Sequence, residues 1–134
     1  MTIIPHRALV VVADGAGAIL FHNEGVGGEI TLREDRRLSP SHLSDDGPSG
    51  VRPPEQTPRQ TDEATFAKQL AHELNRMSEQ HRFESLVVVA DPQTLGQLRP
   101  ALHKNVERCV ALSIAKDLTR HTPEQIAAAI RDAR

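Results

Sequence analysis

Tyrosine and tryptophan are absent, and phenylalanine occurs three times in 134 residues. Leu, Val, Ile and Ala must therefore build the core, and the aromatic platforms on which single-strand binders stack bases are scarce. One cysteine, Cys109, cannot close an internal disulfide, which points to a reducing compartment. The chain has no uninterrupted apolar run of roughly 18 residues, so no membrane span is expected. Its first residues lack the charged segment, apolar run and cleavage site of a secretory signal, so a cytoplasmic location is expected. Net charge is −2, so any attraction for polyanions must be local rather than global. The seven histidines (His6, His22, His42, His72, His81, His103 and His121) form neither His-x-x-x-His nor a His/Cys cluster, so no structural metal is expected. Gly15 and Gly17 lie in DGAG, but a strand pattern follows instead of a helix, which removes the phosphate-cradling geometry of nucleotide sites. No cofactor is expected.

What the chain does contain is periodic structure at both ends. Ala8 to Ala13 read ALVVVA, a continuous β-branched run that suits a strand covered on both faces. Asp14 and Gly15 give a turn, and Ala18 to His22 the returning strand. Glu29 to Arg36 predict a third strand, with Ile30 and Leu32 on one face and Thr31 and Arg33 on the other. Ser39 to Gln60 hold five of the nine prolines and no periodic pattern, and are expected to form a mobile loop. Thr61 is placed as an N-cap. A helix from about Asp62 to Gln80 is expected to bury Ala64, Ala67, Leu70, Ala71, Leu74 and Met77, with Lys68, Gln69, Glu73 and Arg76 outside.

Leu86 to Ala90 repeat the apolar run as LVVVA, followed by Asp91 as a cap, Pro92 at the first helical position, and a short helix through Leu95, Leu98 and Leu102 that Pro100 disturbs. Val106 to Ile114 predict the last strand, with Val110, Leu112 and Ile114 on one face. Thr122, Pro123, Glu124 and Gln125 write a capping box for a final helix anchored by Ile126, Ala129 and Ile130. The helix before Leu86 and the helix after it are crossovers, which make strands 1, 4 and 5 parallel. The expectation is one α/β domain over residues 1–134. It has three layers around a mixed five-stranded sheet of order 3-2-1-4-5, the ribonuclease H-like arrangement.

Four segments resemble a known bacterial family, the "host attachment" proteins: VVVADGAGAILF at Val10 to Phe21, FAKQLAHELN at Phe66 to Asn75, VVVADPQTLGQLRPAL at Val87 to Leu102, and AKDLTRHTPEQI at Ala115 to Ile126. That family is similar to the middle domain of archaeal and eukaryotic peptide-chain release factors. The resemblance implies a ribonuclease H-like fold and an association with the ribosome or RNA. Release factors act through a Gly-Gly-Gln tripeptide. Here Gly27 and Gly28 are followed by Glu29, so the hydrolytic role falls on no residue of this chain.

The parallel strands should end at Asp14, Asp91 and the Lys116–Asp117 pair, where open α/β sheets commonly bind ligands. Lys116, Asp117, Thr119 and Arg120 are the expected binding rim, with Asp91 and Asp14 beside it. Lys104 and Arg108 are placed at the same end as further phosphate contacts. Three functions compete. The first is a noncatalytic binding protein, associated with ribosome or RNA. The second is a metal-dependent hydrolase of phosphodiesters or esters, although the first strand lacks the internal carboxylate such nucleases place there. The third is a protein-interaction module that uses the 39–60 loop. No catalytic residue is assigned, and the sequence does not fix the oligomeric state.

Overall fold

Strand β1 (Leu9–Ala13) and strand β4 (Leu86–Ala90) carry the two apolar runs, and they pair directly in parallel. Leu9 lies opposite Leu86, and the register runs without a break to Ala13 opposite Ala90. Every residue of both strands is buried, as their lack of polar alternation requires. The computed structural model describes residues 4–39 and 58–133, and residues 40–57 of the loop expected at 39–60 lie outside them.

β2 (Ala18–Asn23) returns antiparallel to β1, and β3 (Leu32–Leu38) antiparallel to β2. Helix α1 (Pro58–Glu79) then crosses to β4. Helix α2 (Pro92–Leu98), a 3-10 turn (Arg99–Ala101) and helix α3 (Lys104–Cys109) lead to β5 (Val110–Ala115), and α4 (Pro123–Ala133) ends the chain. The sheet order is β3-β2-β1-β4-β5, as the paired apolar runs and crossovers predict.

Alternation within the strands divides the core between two sheet faces. Leu9, Val11, Leu20, Leu86 and Val88 pack with Phe66, Leu70, Leu74 and Met77 of α1 and with Leu98 and Val106. Val10, Val12, Phe21, Val87 and Val89 pack with Ile126, Ala127 and Ile130 of α4. This is a three-layer α/β arrangement, with helices on both faces of the sheet.

Local chemistry explains the element ends. α1 stops where His81 adopts φ 56°. The His81 N–H bonds to Ser78 O at 3.0 Å and the Arg82 N–H to Met77 O at 2.9 Å, a Schellman closure. The capping box of α4 is reciprocal: Gln125 N–H donates to Thr122 Oγ1 at 3.1 Å, and Thr122 N–H to Gln125 Oε1 at 3.0 Å.

Five details differ from the sequence expectation. β3 starts at Leu32 and runs to Leu38. α1 begins at Pro58, so Thr61 lies inside the helix and not at its cap. Residues 104–109 are helical, because Val106 is buried against the α1 side while Pro100 has already broken the preceding helix into a 3-10 turn. A bulge at Ala111 separates the Leu86–Val110 pair from the Val87–Leu112 pair. It turns Val110 toward the α1 face, whereas Leu112 and Ile114 pack on the α4 face, so these three do not share a side.

Glu73 is the fifth. It is buried and not outward, because β3 lies beside α1 and brings Arg36 to it. Arg36 Nη2 and Arg76 Nη2 each stand 2.5 Å from a different Glu73 oxygen. Arg36 reaches this position because of a second bulge, at Asp35, which shifts the β2–β3 register between Leu20 and Phe21.

Candidate functional site

Ala13, Ala90 and Ala115 lie side by side at the carboxyl ends of β1, β4 and β5. The next residue on each strand, Asp14, Asp91 and Lys116, is therefore presented along one rim of the sheet. Adjacent strands lie about 4.8 Å apart, so β1 and β5 are separated here by roughly 10 Å, with the end of β4 between them.

Each carboxylate on this rim has a local bonding task. Asp14 Oδ1 accepts from Ala16 N–H at 2.8 Å and Gly17 N–H at 2.9 Å, which closes the β1–β2 turn. Asp91 Oδ2 accepts from Thr94 N–H at 3.1 Å and caps α2. Asp91 Oδ1 is buried and has no hydrogen-bond partner among the described residues. Asp117 Oδ1 accepts from Thr119 N–H at 3.0 Å, and the Thr119 hydroxyl stands 2.6 Å from the same oxygen. That hydroxyl is also 3.2 Å from Asp14 Oδ2. With one proton to donate, it is shared between two carboxylates.

The bonds from the Thr119 hydroxyl and amide hold the Asp117 carboxyl below its ordinary value, with smaller help from nearby Arg120 and His121 against a modest opposing effect of burial. Leu118 is buried in the cluster on the α4 face, which anchors the turn from the apolar side. The turn is thus held by Leu118 beneath and by the Asp14–Thr119–Asp117 group above.

Of the expected site residues, Asp14, Asp117 and Thr119 come together in one hydrogen-bonded group. Asp91 is on the same rim, but its bonds go to its own helix. Lys116 and Arg120 are exposed, and neither has an ion-pair partner among the described residues. Lys104 and Arg108 do not join them. α3 lies at the amino end of β5, and a six-residue strand of about 3.3 Å per residue separates the two pairs by roughly 20 Å. Among the described residues no group of three or more His, Cys, Asp or Glu is arranged to hold a metal ion.

A second polar centre, which the sequence did not disclose, lies at the opposite end of the sheet. Asn23 is fully buried at the end of β2. Its Oδ1 accepts from Gly25 N–H at 2.9 Å and Thr31 N–H at 3.0 Å, and its Nδ2 donates to Pro5 O at 3.0 Å. A shallow concavity opens beside this loop, lined by Gly27, Gly28, Glu29, Ile30, Thr31 and Arg131. Arg131 Nη1 is used within it, donating to Ile30 O at 3.3 Å. An asparagine after an apolar strand reads as an ordinary turn residue, and only the fold reveals that it orders the loop to Thr31.

Among the described residues, no helix is long and apolar enough to cross a membrane. A family model described as Bacterial archaeo-eukaryotic release factor family 12 matches residues 7–130. The solved structures to which the chain is similar include two archaeal proteins. One is an archaeal translation termination factor, aRF1, at 14% identity and a TM-score of 0.49, covering 93% of this chain and 37% of that one. The other is described as an archaeal protein, at 15% identity and a TM-score of 0.49, covering 94% of this chain and 36% of that one. The chain thus spans little more than a third of the length of either. No curated protein matches it.

Proposed function

The chain belongs to the bacterial archaeo-eukaryotic release factor family 12, and from that premise we propose that it is a noncatalytic cytoplasmic binding protein that associates with the ribosome through RNA phosphates. The observation that carries this reading is the division of labour on the strand-end rim. Its three carboxylates bond to backbone amides, to Thr119, or to both, whereas Lys116 and Arg120 are exposed and make no ion pair among the described residues, Arg120 acting on Asp117 only through its nearby charge. Lys116, Asp117, Thr119 and Arg120 form the binding surface, with the cations as phosphate contacts. Asp117, Thr119, Asp14 and Asp91 fix the backbone that aims them.

Co-sedimentation of the purified chain with ribosomes, measured across a salt series, tests the proposal. Lys116→Ala with Arg120→Ala should weaken association and flatten the dependence of log K on log salt by about 1.4–1.8, as loss of two phosphate contacts does. Thermal stability should change by less than ~1 kcal/mol, because exposed charges contribute little. Ribonuclease treatment should abolish capture by the wild-type chain. Equal capture of wild type and double variant at every salt concentration rules out this rim as the contact surface.

A further inference from the structure

Glu73 is one buried carboxylate held by two arginines, with Arg36 Nη2 and Arg76 Nη2 each bonded to a different oxygen of it. A single guanidinium neutralises a single carboxylate, so the group keeps a surplus positive charge. The acids around it do not remove that surplus. Glu34 is committed to Arg37 at 3.0 Å and Asp35 to His22 at 3.2 Å. Glu79, one turn beyond Arg76, makes no ion pair among the described residues. Exposed His72 and Lys68 stand four and eight residues before Arg76, along the same side of α1, and add to the positive potential there.

The surplus charge is also held in place. The bulge at Asp35 sets Arg36 opposite Leu20, on the face that α1 covers. Arg36 Nη2 further touches Met77 Sδ at 3.3 Å, while Nε and Nη1 of both arginines have no hydrogen bond among the described residues. Both side chains remain more than a third exposed, although the carboxylate between them is buried. Each arginine is thus anchored through one nitrogen and keeps its other donors free. A ligand that meets those donors does not bear the entropy cost of ordering two long side chains.

We propose that Arg36 and Arg76 form an anion site between β3 and α1 that takes a phosphate group, carried as the free ion or as a terminal monoester. Two guanidiniums sharing one anchor favour an oxyanion with several acceptor oxygens. A terminal phosphate presents three unesterified oxygens and close to two negative charges. A phosphodiester offers two such oxygens and one charge, and is the poorer match. The site is separate from the strand-end rim. β3 and β5 are the opposite edges of the sheet, four strand spacings or roughly 20 Å apart. The inference therefore goes beyond the ribosome reading and does not depend on it.

Titration of the full chain with inorganic phosphate in a chloride buffer, followed by NMR of the arginine Nε–H groups, reads the site directly. The Arg36 and Arg76 signals should shift together and saturate with one dissociation constant. Arg36→Lys and Arg76→Lys keep a cation beside Glu73, so the circular dichroism spectrum should be unchanged. Each should nevertheless raise the constant roughly tenfold, read on the remaining arginine, because an ammonium lacks the planar guanidinium fork. Lys104→Gln removes a cation from α3 and should change the constant by less than about twofold, as a distant, screened charge does. Dimethyl phosphate, a diester with one charge, should bind roughly tenfold more weakly than inorganic phosphate. A 5′-mononucleotide that displaces phosphate identifies a terminal ester as the ligand, and one that does not identifies the free ion. A wild type whose Arg36 and Arg76 signals do not saturate with phosphate overturns the proposal. So do lysine variants that bind phosphate as the wild type does, or dimethyl phosphate binding as tightly as phosphate.

Discussion

The Thr119 hydroxyl stands 3.2 Å from Asp14 Oδ2 and joins positions 105 residues apart. The two strands they follow are not neighbours, because β4 lies between β1 and β5. The contact therefore spans the end of β4. It fixes the Lys116–Arg120 turn relative to the sheet in a way that neither turn could achieve alone.

Removing that hydroxyl should have a readable electrostatic signature. Thr119→Val keeps the shape but deletes the bond that most depresses the Asp117 carboxyl. The Asp117 titration, followed by carboxyl-carbon NMR, should move upward toward an ordinary aspartate. In the wild type a depressed folded value means that this carboxylate's contribution is present above the unfolded value and fades as pH falls through the folded one. The variant should show a smaller loss of stability on acidification across the same acidic window.

Asn23 should be among the costliest polar residues to replace. Asn23→Ala leaves Gly25 N–H and Thr31 N–H without their acceptor in a buried setting, and the expected loss is about 2–4 kcal/mol in urea titration. Gly25→Ala attacks the same loop differently. A β-carbon there would lie 2.3 Å from Glu29 O, a backbone atom that cannot swing aside. The pair should be non-additive, because both changes release one loop.

Glu73 should need one arginine, not two. Arg36 and Arg76 are 37% and 49% exposed while the Glu73 side chain is only 5% exposed. Either single change to Ala should cost about 1 kcal/mol, since one cation remains. The double change leaves a buried carboxylate with neither partner, and should cost roughly 3–5 kcal/mol. A double-mutant cycle by thermal denaturation measures the excess.

His81 offers a gain. It holds φ 56° at the end of α1, a conformation that penalises a side chain by about 1 kcal/mol and that glycine adopts freely. His81→Gly should raise the unfolding midpoint by the equivalent of about 0.5–1 kcal/mol.

The sheet was legible because its signals were redundant. ALVVVA and LVVVA demanded cover on both faces, and the helix between them demanded a parallel crossover, so β1 beside β4 followed. The strand ends were legible for the same reason, since Asp14, Asp91 and Lys116 each follow an apolar run directly. What stayed hidden depended on partners distant in sequence. Glu73 looks like any outward residue of α1 until β3 delivers Arg36. α3 has only Val106 to mark its buried side, too little for a period to emerge. The employment of the rim acids was equally invisible, because it depends on which amide each turn turns toward them.

The bulge at Ala111 also bears on how relatives of this chain should be compared. One extra residue there reverses the face on which the start of β5 sits, so the spacing from Val110 to Leu112 encodes a change of side. A relative shorter by one residue at this point would not be missing a loop residue. It would present the preceding helix on a different rotational phase against the sheet. An alignment gap placed a few positions away, in either direction, would superimpose inward side chains on outward ones along the whole approach to β5.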